Sequence, residues 1–168
     1  VFLMGDLNYD IVVKGKTATE VINGLTANLS LDKIKELHSS DELKEALTLA
    51  PLEGFKEGVA GAGPLFVPNW KLQRGRSAAC VPSDINTSSK MNANCFTSQK
   101  EATGLGWHDR ILYKQAQDSE FVTHCLSYNI LAIGNISASD HAGVIGLFEV
   151  KKIDQLNTTP AAAVVTTK

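Results

Sequence analysis

Three short segments of the chain set acidic or imidazole side chains at the ends of apolar runs: Gly5-Asp6-Leu7-Asn8, Trp107-His108-Asp109-Arg110 and Ser139-Asp140-His141. A carboxylate placed straight after a buried strand, as Asp6 would be, lies at the edge of a low-dielectric region. There it can take a proton from water or help hold a cation. Asn8 can aim a neutral amide at a phosphoryl oxygen or fix Asp6 in place. Asp109 can pair with Arg110 or with a neighbouring strand. His108 is a weak metal candidate, because no other ligand lies at a recognisable spacing from it. Each segment taken alone also has a bland reading. Gly-Asp-x-Asn is a common turn, and a single His is more often a hydrogen-bonded surface residue than a catalyst. Two further patterns fail. Lys14-Gly15-Lys16 lacks the glycines and the following Ser/Thr of a phosphate-binding loop, and Gly104-Leu105-Gly106 lacks the third glycine of a dinucleotide site.

The elements that must position these groups follow from the hydrophobic pattern. Val1 to Met4 reads as a strand buried on both faces, stopped by Gly5-Asp6. Thr17 or Thr19 caps a predicted helix running to about Leu25, Leu31 to Leu37 reads as a further helical turn or two, and Ser40-Asp41 precedes a short helix over Glu42–Leu47. Glycines and prolines between Pro51 and Pro68 predict an irregular segment. Residues 73–104, poor in large apolar groups, read as a long mobile loop or insertion. Strands are expected over Arg110–Tyr113, Phe121–Ile133 and Gly143–Val150, with a disordered tail over 151–168. In open α/β sheets the strand ends line the functional crevice, which is where the three segments fall.

The sequence has 168 residues, 43% hydrophobic and 20% charged, which suits one folded unit with a real core. A formal net charge of −2 gives no electrostatic reason to expect nucleic acid as a partner. Cys80, Cys95 and Cys125 are odd in number and lack a metal-type spacing, which favours a reducing compartment. No apolar run is long enough to cross a bilayer. The chain opens inside an apolar run without Met, so residues ahead of it are expected to be missing.

Taken together, the order and intervals of the three segments resemble the inositol polyphosphate 5-phosphatases of the endonuclease/exonuclease/phosphatase superfamily. Phe2-Leu3-Met4-Gly5-Asp6-Leu7-Asn8-Tyr9 is similar to that family's Gly-Asp-Leu-Asn-Tyr/Phe-Arg segment. Gly106-Trp107-His108-Asp109-Arg110-Ile111-Leu112 is similar to its Pro-Ser/Ala-Trp-Cys-Asp-Arg-Ile-Leu segment, and Ser139-Asp140-His141 to its final Ser-Asp-His. Gly54-Phe55-Lys56-Glu57-Gly58 and Pro68-Asn69-Trp70-Lys71 are weaker matches, and the likeness runs from Val1 to about Val150.

The resemblance implies an α/β fold, part of a four-layer α/β/β/α sandwich with mixed sheets whose N-terminal half is missing. Residues 1–150 would be the C-terminal part of a catalytic domain. It implies Mg²⁺-dependent removal of a phosphate, the 5-phosphate of an inositol phosphate or phosphoinositide. In that scheme Asp6 activates or orients water, Asn8 positions the water and the phosphate, and His141 donates to the scissile phosphate. Asp109 holds the His141 ring, Asp140 lies at the metal, and Lys71 and Arg110 bind substrate, Lys71 at a neighbouring ring phosphate. A metal-binding Glu, an Asn and a His would lie upstream of this chain, so the fragment alone is expected to be inactive and poorly stable. The full-length protein is expected to be cytoplasmic, with peripheral contact to membrane surfaces.

The chain departs from that family's pattern. Asp10 stands where an Arg is usual, Leu105 and His108 replace Pro and Cys, and Thr103 lies near the place of a further Arg. Lys100, Arg74 or Arg76 could compensate. A nuclease or other phosphodiesterase of the same superfamily, or a non-catalytic scaffold keeping the fold, are the alternative readings.

Overall fold

A computed structural model describes residues 1–70, 72–73, 95–96, 104–131 and 139–153. Five strands and three α-helices alternate along these residues. The order is β1 (Phe2–Asp6), α1 (Ala18–Ala27), α2 (Leu31–His38), α3 (Glu42–Ala46), β2 (Lys56–Glu57), β3 (Asp109–Tyr113), β4 (Phe121–Ile130) and β5 (Val144–Lys152). The α/β class holds, and every strand pairing among the described residues is antiparallel. One sheet has the order β1-β3-β2 and the other pairs β4 with β5.

The helices start where the capping chemistry places them. Thr17 forms a capping box with Glu20, its side chain accepting from the Glu20 amide while the Glu20 carboxylate accepts from the Thr17 amide. Ser30 and Asp41 cap α2 and α3 in the same way, each accepting from an amide of the first turn. The inward stripes, Val21, Ile22 and Leu25 on α1 and Ile34 and Leu37 on α2, join Phe66, Val67, Leu72, Leu105 and Trp107 in one apolar core. No helix among the described residues is long and apolar enough to cross a membrane.

Several boundaries and burials differ from the sequence reading. β1 is exposed along its whole length, with Met4 64% exposed, because among the described residues only β3 pairs with it and its faces are largely uncovered. β5 runs on through Lys152, so Lys151 and Lys152 are strand and not tail. The segment read as a mobile loop returns to the core at Cys95 and Phe96, which are buried, and Phe96 bridges Leu72. Cys95 is disulfide-bonded, against the reducing compartment that the odd cysteine count favoured, whereas Cys125 is free and buried.

The two sheets meet through rings. Phe148 on β5 packs edge-on against Phe2 on β1 and Tyr113 on β3. Between the sheets and helices lies a buried charge network. The Arg110 guanidinium donates to both carboxylate oxygens of Glu57, to both oxygens of Asp41 and to the Trp107 carbonyl. Tyr128 adds its hydroxyl to Glu57. Burial alone would lower the Arg110 pKa, but Glu57 and then Asp41 outweigh it and hold the charge in place. Arg110 is 1% exposed, which corrects its expected role as a substrate contact: every direction its donors face is already taken.

Candidate active site

The register of β1 and β3 brings the first two chemical segments together. Asp6 faces Asp109 across the antiparallel pair, and the chain beyond β1 stays attached, with the Leu7 amide donating to the His108 carbonyl at 2.8 Å. Asn8 then turns through a positive φ of 55°, a conformation Asn tolerates, and its amide donates back to Asp6 Oδ1 at 3.2 Å. The Asp6 side chain is 44% exposed, so this turn orients it without removing it from solvent.

The third segment arrives from the other side. The Ala142 amide donates to the Asn69 carbonyl, and the Leu72 amide donates to the Asp140 carbonyl. These two bonds set His141 against β3, where its Nδ1 lies 2.8 Å from Asp109 Oδ2. Asp109 thus holds one nitrogen of the ring and leaves the other to face the opening.

Asn69 is the strut that the sequence did not reveal as functional. Its side-chain amide donates to the Asp109 carbonyl at 2.9 Å, and its side-chain oxygen accepts from the His108 amide at 2.8 Å. The residue is fully buried, so both sites of its side chain are spent on fixing the backbone that carries His108 and Asp109.

His108 and Asp10, the two departures from the family pattern, meet directly: His108 Nε2 lies 2.9 Å from Asp10 Oδ1. Trp70 stacks on the His108 ring, with centroids 4.0 Å apart. Asp10 is itself held by α3, its amide donating to the Glu42 carboxylate and its carbonyl accepting from the Glu42 amide. Gly104 and Gly106 make room for the pair. A Cβ on Gly104 would fall 2.8 Å from Asp10 Oδ1, and one on Gly106 would fall 2.5 Å from the Tyr9 carbonyl oxygen and 2.7 Å from His108 Cδ2. These glycines are therefore packing glycines and not part of a nucleotide loop. Gly106→Ala is expected to destabilise the fold by about 1–3 kcal/mol, read by chemical denaturation. A loss below a few tenths would mean that the backbone yields at little cost.

Asp6, His108 and His141 each offer a ligand atom, and these atoms lie within 4.8 Å of one another. The group can hold a divalent ion. Asp140 does not join it. One carboxylate and two imidazoles suit Mg²⁺ poorly, because that ion takes oxygen donors and keeps several waters. In a second group, His38, Asp41 and Glu57, the two carboxylates are already spent on Arg110. Burial keeps the His38 ring below its ordinary pKa, against the pull of those two carboxylates. Lys71, Arg74, Arg76, Lys100 and Thr103 lie outside the described residues.

An Asp–His pair, a second exposed carboxylate and a turn asparagine at the ends of antiparallel strands define a hydrolase-like site on an α/β scaffold. The chain belongs to the endonuclease/exonuclease/phosphatase family 2, which its residues 1–147 match. Among solved structures, 35 chains match it. One is the inositol polyphosphate 5-phosphatase domain of a synaptojanin, in complex with inositol (1,4)-bisphosphate and a calcium ion. It shares 25% identity at a TM-score of 0.47, over 92% of this chain and 36% of that one. The chain thus spans little more than a third of that domain's length. No curated protein matches it in sequence.

Proposed function

We propose that the protein containing this chain hydrolyses a phosphate monoester, the 5-phosphate of an inositol phosphate or phosphoinositide. The observation that carries the reading is the Asp109–His141 pair set beside Asp6 at the ends of β1 and β3. In that arrangement Asp6 accepts a proton from the attacking water or orients it, and Asn8, whose amide holds Asp6, would help position the water and the phosphate. As an imidazolium, His141 donates one N–H to Asp109 and the other to a phosphoryl oxygen, which offsets charge as it develops there. Membership of the phosphatase and nuclease family supports phosphoryl chemistry, and the Trp-x-Asp-Arg-Ile-Leu segment favours the inositol phosphate substrate over a nucleic acid.

Mg²⁺ is the ion the resemblance implies. The described donor set offers it one oxygen ligand, so its remaining ligands would have to come from residues outside this set. A cytoplasmic protein working at membrane surfaces fits a phosphoinositide substrate.

The test uses the full-length protein. Phosphate release from soluble inositol polyphosphates and from phosphoinositide vesicles is compared with cleavage of abasic and single-stranded DNA. Release of the 5-phosphate with no DNA cleavage is the expected result. DNA cleavage without phosphate release makes the protein a nuclease, and inactivity on all substrates makes it a scaffold.

A further inference from the structure

The two departures from the family pattern build something together. His108 is 4% exposed, and its Nε2 is engaged by Asp10. Its Nδ1 is buried and has no hydrogen-bond partner among the described residues. That orphaned nitrogen lies 3.9 Å from Asp6 Oδ1. A buried polar atom left unpaired is destabilising, so its position calls for a ligand.

His141 repeats the arrangement. Asp109 holds its Nδ1, and the second nitrogen is left. Two histidines are therefore each gripped at one nitrogen by a carboxylate, at 2.9 Å and 2.8 Å, while their rings lie 5.9 Å apart and edge-on to each other. A carboxylate behind a ligating histidine fixes its tautomer, aims the lone pair and raises its basicity. Asp6 supplies the anionic ligand. Being the most exposed of the three, it can rotate to close the remaining distance to ion-bound spacing. Trp70 stacks over His108 and keeps that ring from swinging away.

We infer that Asp6, His108 and His141 form a site for a nitrogen-preferring divalent ion of the Zn²⁺ class, held from behind by Asp10 and Asp109. Two imidazoles and one carboxylate are a Zn²⁺ donor set, with a fourth position for water. Mg²⁺ takes oxygen donors and is not expected to compete. The ion would take the same His141 nitrogen and the same Asp6 carboxylate that the proposed hydrolysis uses, so Zn²⁺ binds in the absence of substrate and blocks turnover, and its binding is read without any substrate.

The experiment is a titration of the full-length protein with Co²⁺, followed by visible absorption, with Zn²⁺ and Mg²⁺ as competitors. A tetrahedral Co²⁺ spectrum displaced by stoichiometric Zn²⁺, and not by millimolar Mg²⁺, is the expected result. Asp6→Asn changes an exposed side chain and spares the core. It is expected to weaken Zn²⁺ binding at least about 10-fold, and Asp10→Asn about 10–100-fold through the loss of its hold on His108. His124→Ala, on the exposed face of β4, should leave binding unchanged. Nitrogen NMR of the histidines should place the ion at His108 Nδ1, with Nε2 remaining protonated. Full affinity in both Asp6→Asn and Asp10→Asn overturns the assignment. So does displacement of Zn²⁺ by Mg²⁺ at similar concentration, or a thiolate charge-transfer band placing the ion on cysteine.

Discussion

Replacing His141 with alanine is expected to lower turnover of the full-length protein about 10²–10⁴-fold, the range that a positioned proton donor contributes. The argument rests on the Asp109–His141 contact at 2.8 Å. A ring held at Nδ1 keeps its other nitrogen in one direction, and removing the ring removes both the donor and the charge it brings to the phosphoryl group. Asp109→Asn tests whether the contact is more than structural. The amide keeps the size of the carboxylate but cannot stabilise an imidazolium. It should lower kcat with little change in KM and move the alkaline limb of the pH profile, where the protonated ring is lost, which a purely structural role would not do. Equal turnover in wild type and both variants would remove His141 from the chemistry.

How much of this was legible in the sequence depends on the range of the interaction that decides each point. Thr17, Ser30 and Asp41 announce their helices because a cap acts over two or three residues. The strand signals of β3, β4 and β5 were readable for the same local reason, to within three residues at their ends. The exposure of β1 was not. An apolar run says that a strand can be buried, whereas what covers it is decided by other parts of the fold. The site divides in the same way. Asp6, Asp109 and His141 could be linked only through the order of their motifs, and the β1–β3 register then brings them together. His108 was discounted as a ligand for want of neighbours, but its partner Asp10 stands 98 positions away. Asn69 carried no signal of its own, since a buried amide that braces two backbones looks like any other asparagine until the fold exists. Arg110 misled for a related reason. Beside a catalytic motif a guanidinium reads as a phosphate contact, and only the folded chain shows Glu57 and Asp41, 53 and 69 positions upstream, consuming it.

That network supports the second large effect. Glu57→Gln keeps the shape of the side chain and removes one of the two charges facing Arg110. Both Arg110 and Glu57 are nearly fully buried, so water cannot replace what is lost. Breaking a buried pair by removing one partner costs about 3–5 kcal/mol, and the whole stability of a domain is about 5–15 kcal/mol. The variant is therefore expected to lose a substantial part of its denaturant midpoint, while Asp41 keeps Arg110 paired. Arg110→Met should be worse, because two carboxylates then share a dry interior with no cation. The contrast that isolates charge from packing is the triple replacement Asp41→Leu, Glu57→Leu, Arg110→Met. Exchanging an entire buried ionic cluster for apolar groups is often neutral or stabilising, but here three attachments go with it. Asp41 also accepts from the Leu43 amide as the cap of α3, Glu57 accepts the Tyr128 hydroxyl, and Arg110 donates to the Trp107 carbonyl. The triple variant should recover most of the loss while keeping a deficit of about 1–2 kcal/mol from the cap, the stranded hydroxyl and the stranded carbonyl. A Glu57→Gln loss under about 1 kcal/mol would put the cluster in the class of exposed pairs. The consequences reach the site, because Arg110 also donates to the Trp107 carbonyl at 2.9 Å. Loosening it frees the start of β3, the strand that presents both Asp109 and, one residue earlier, His108.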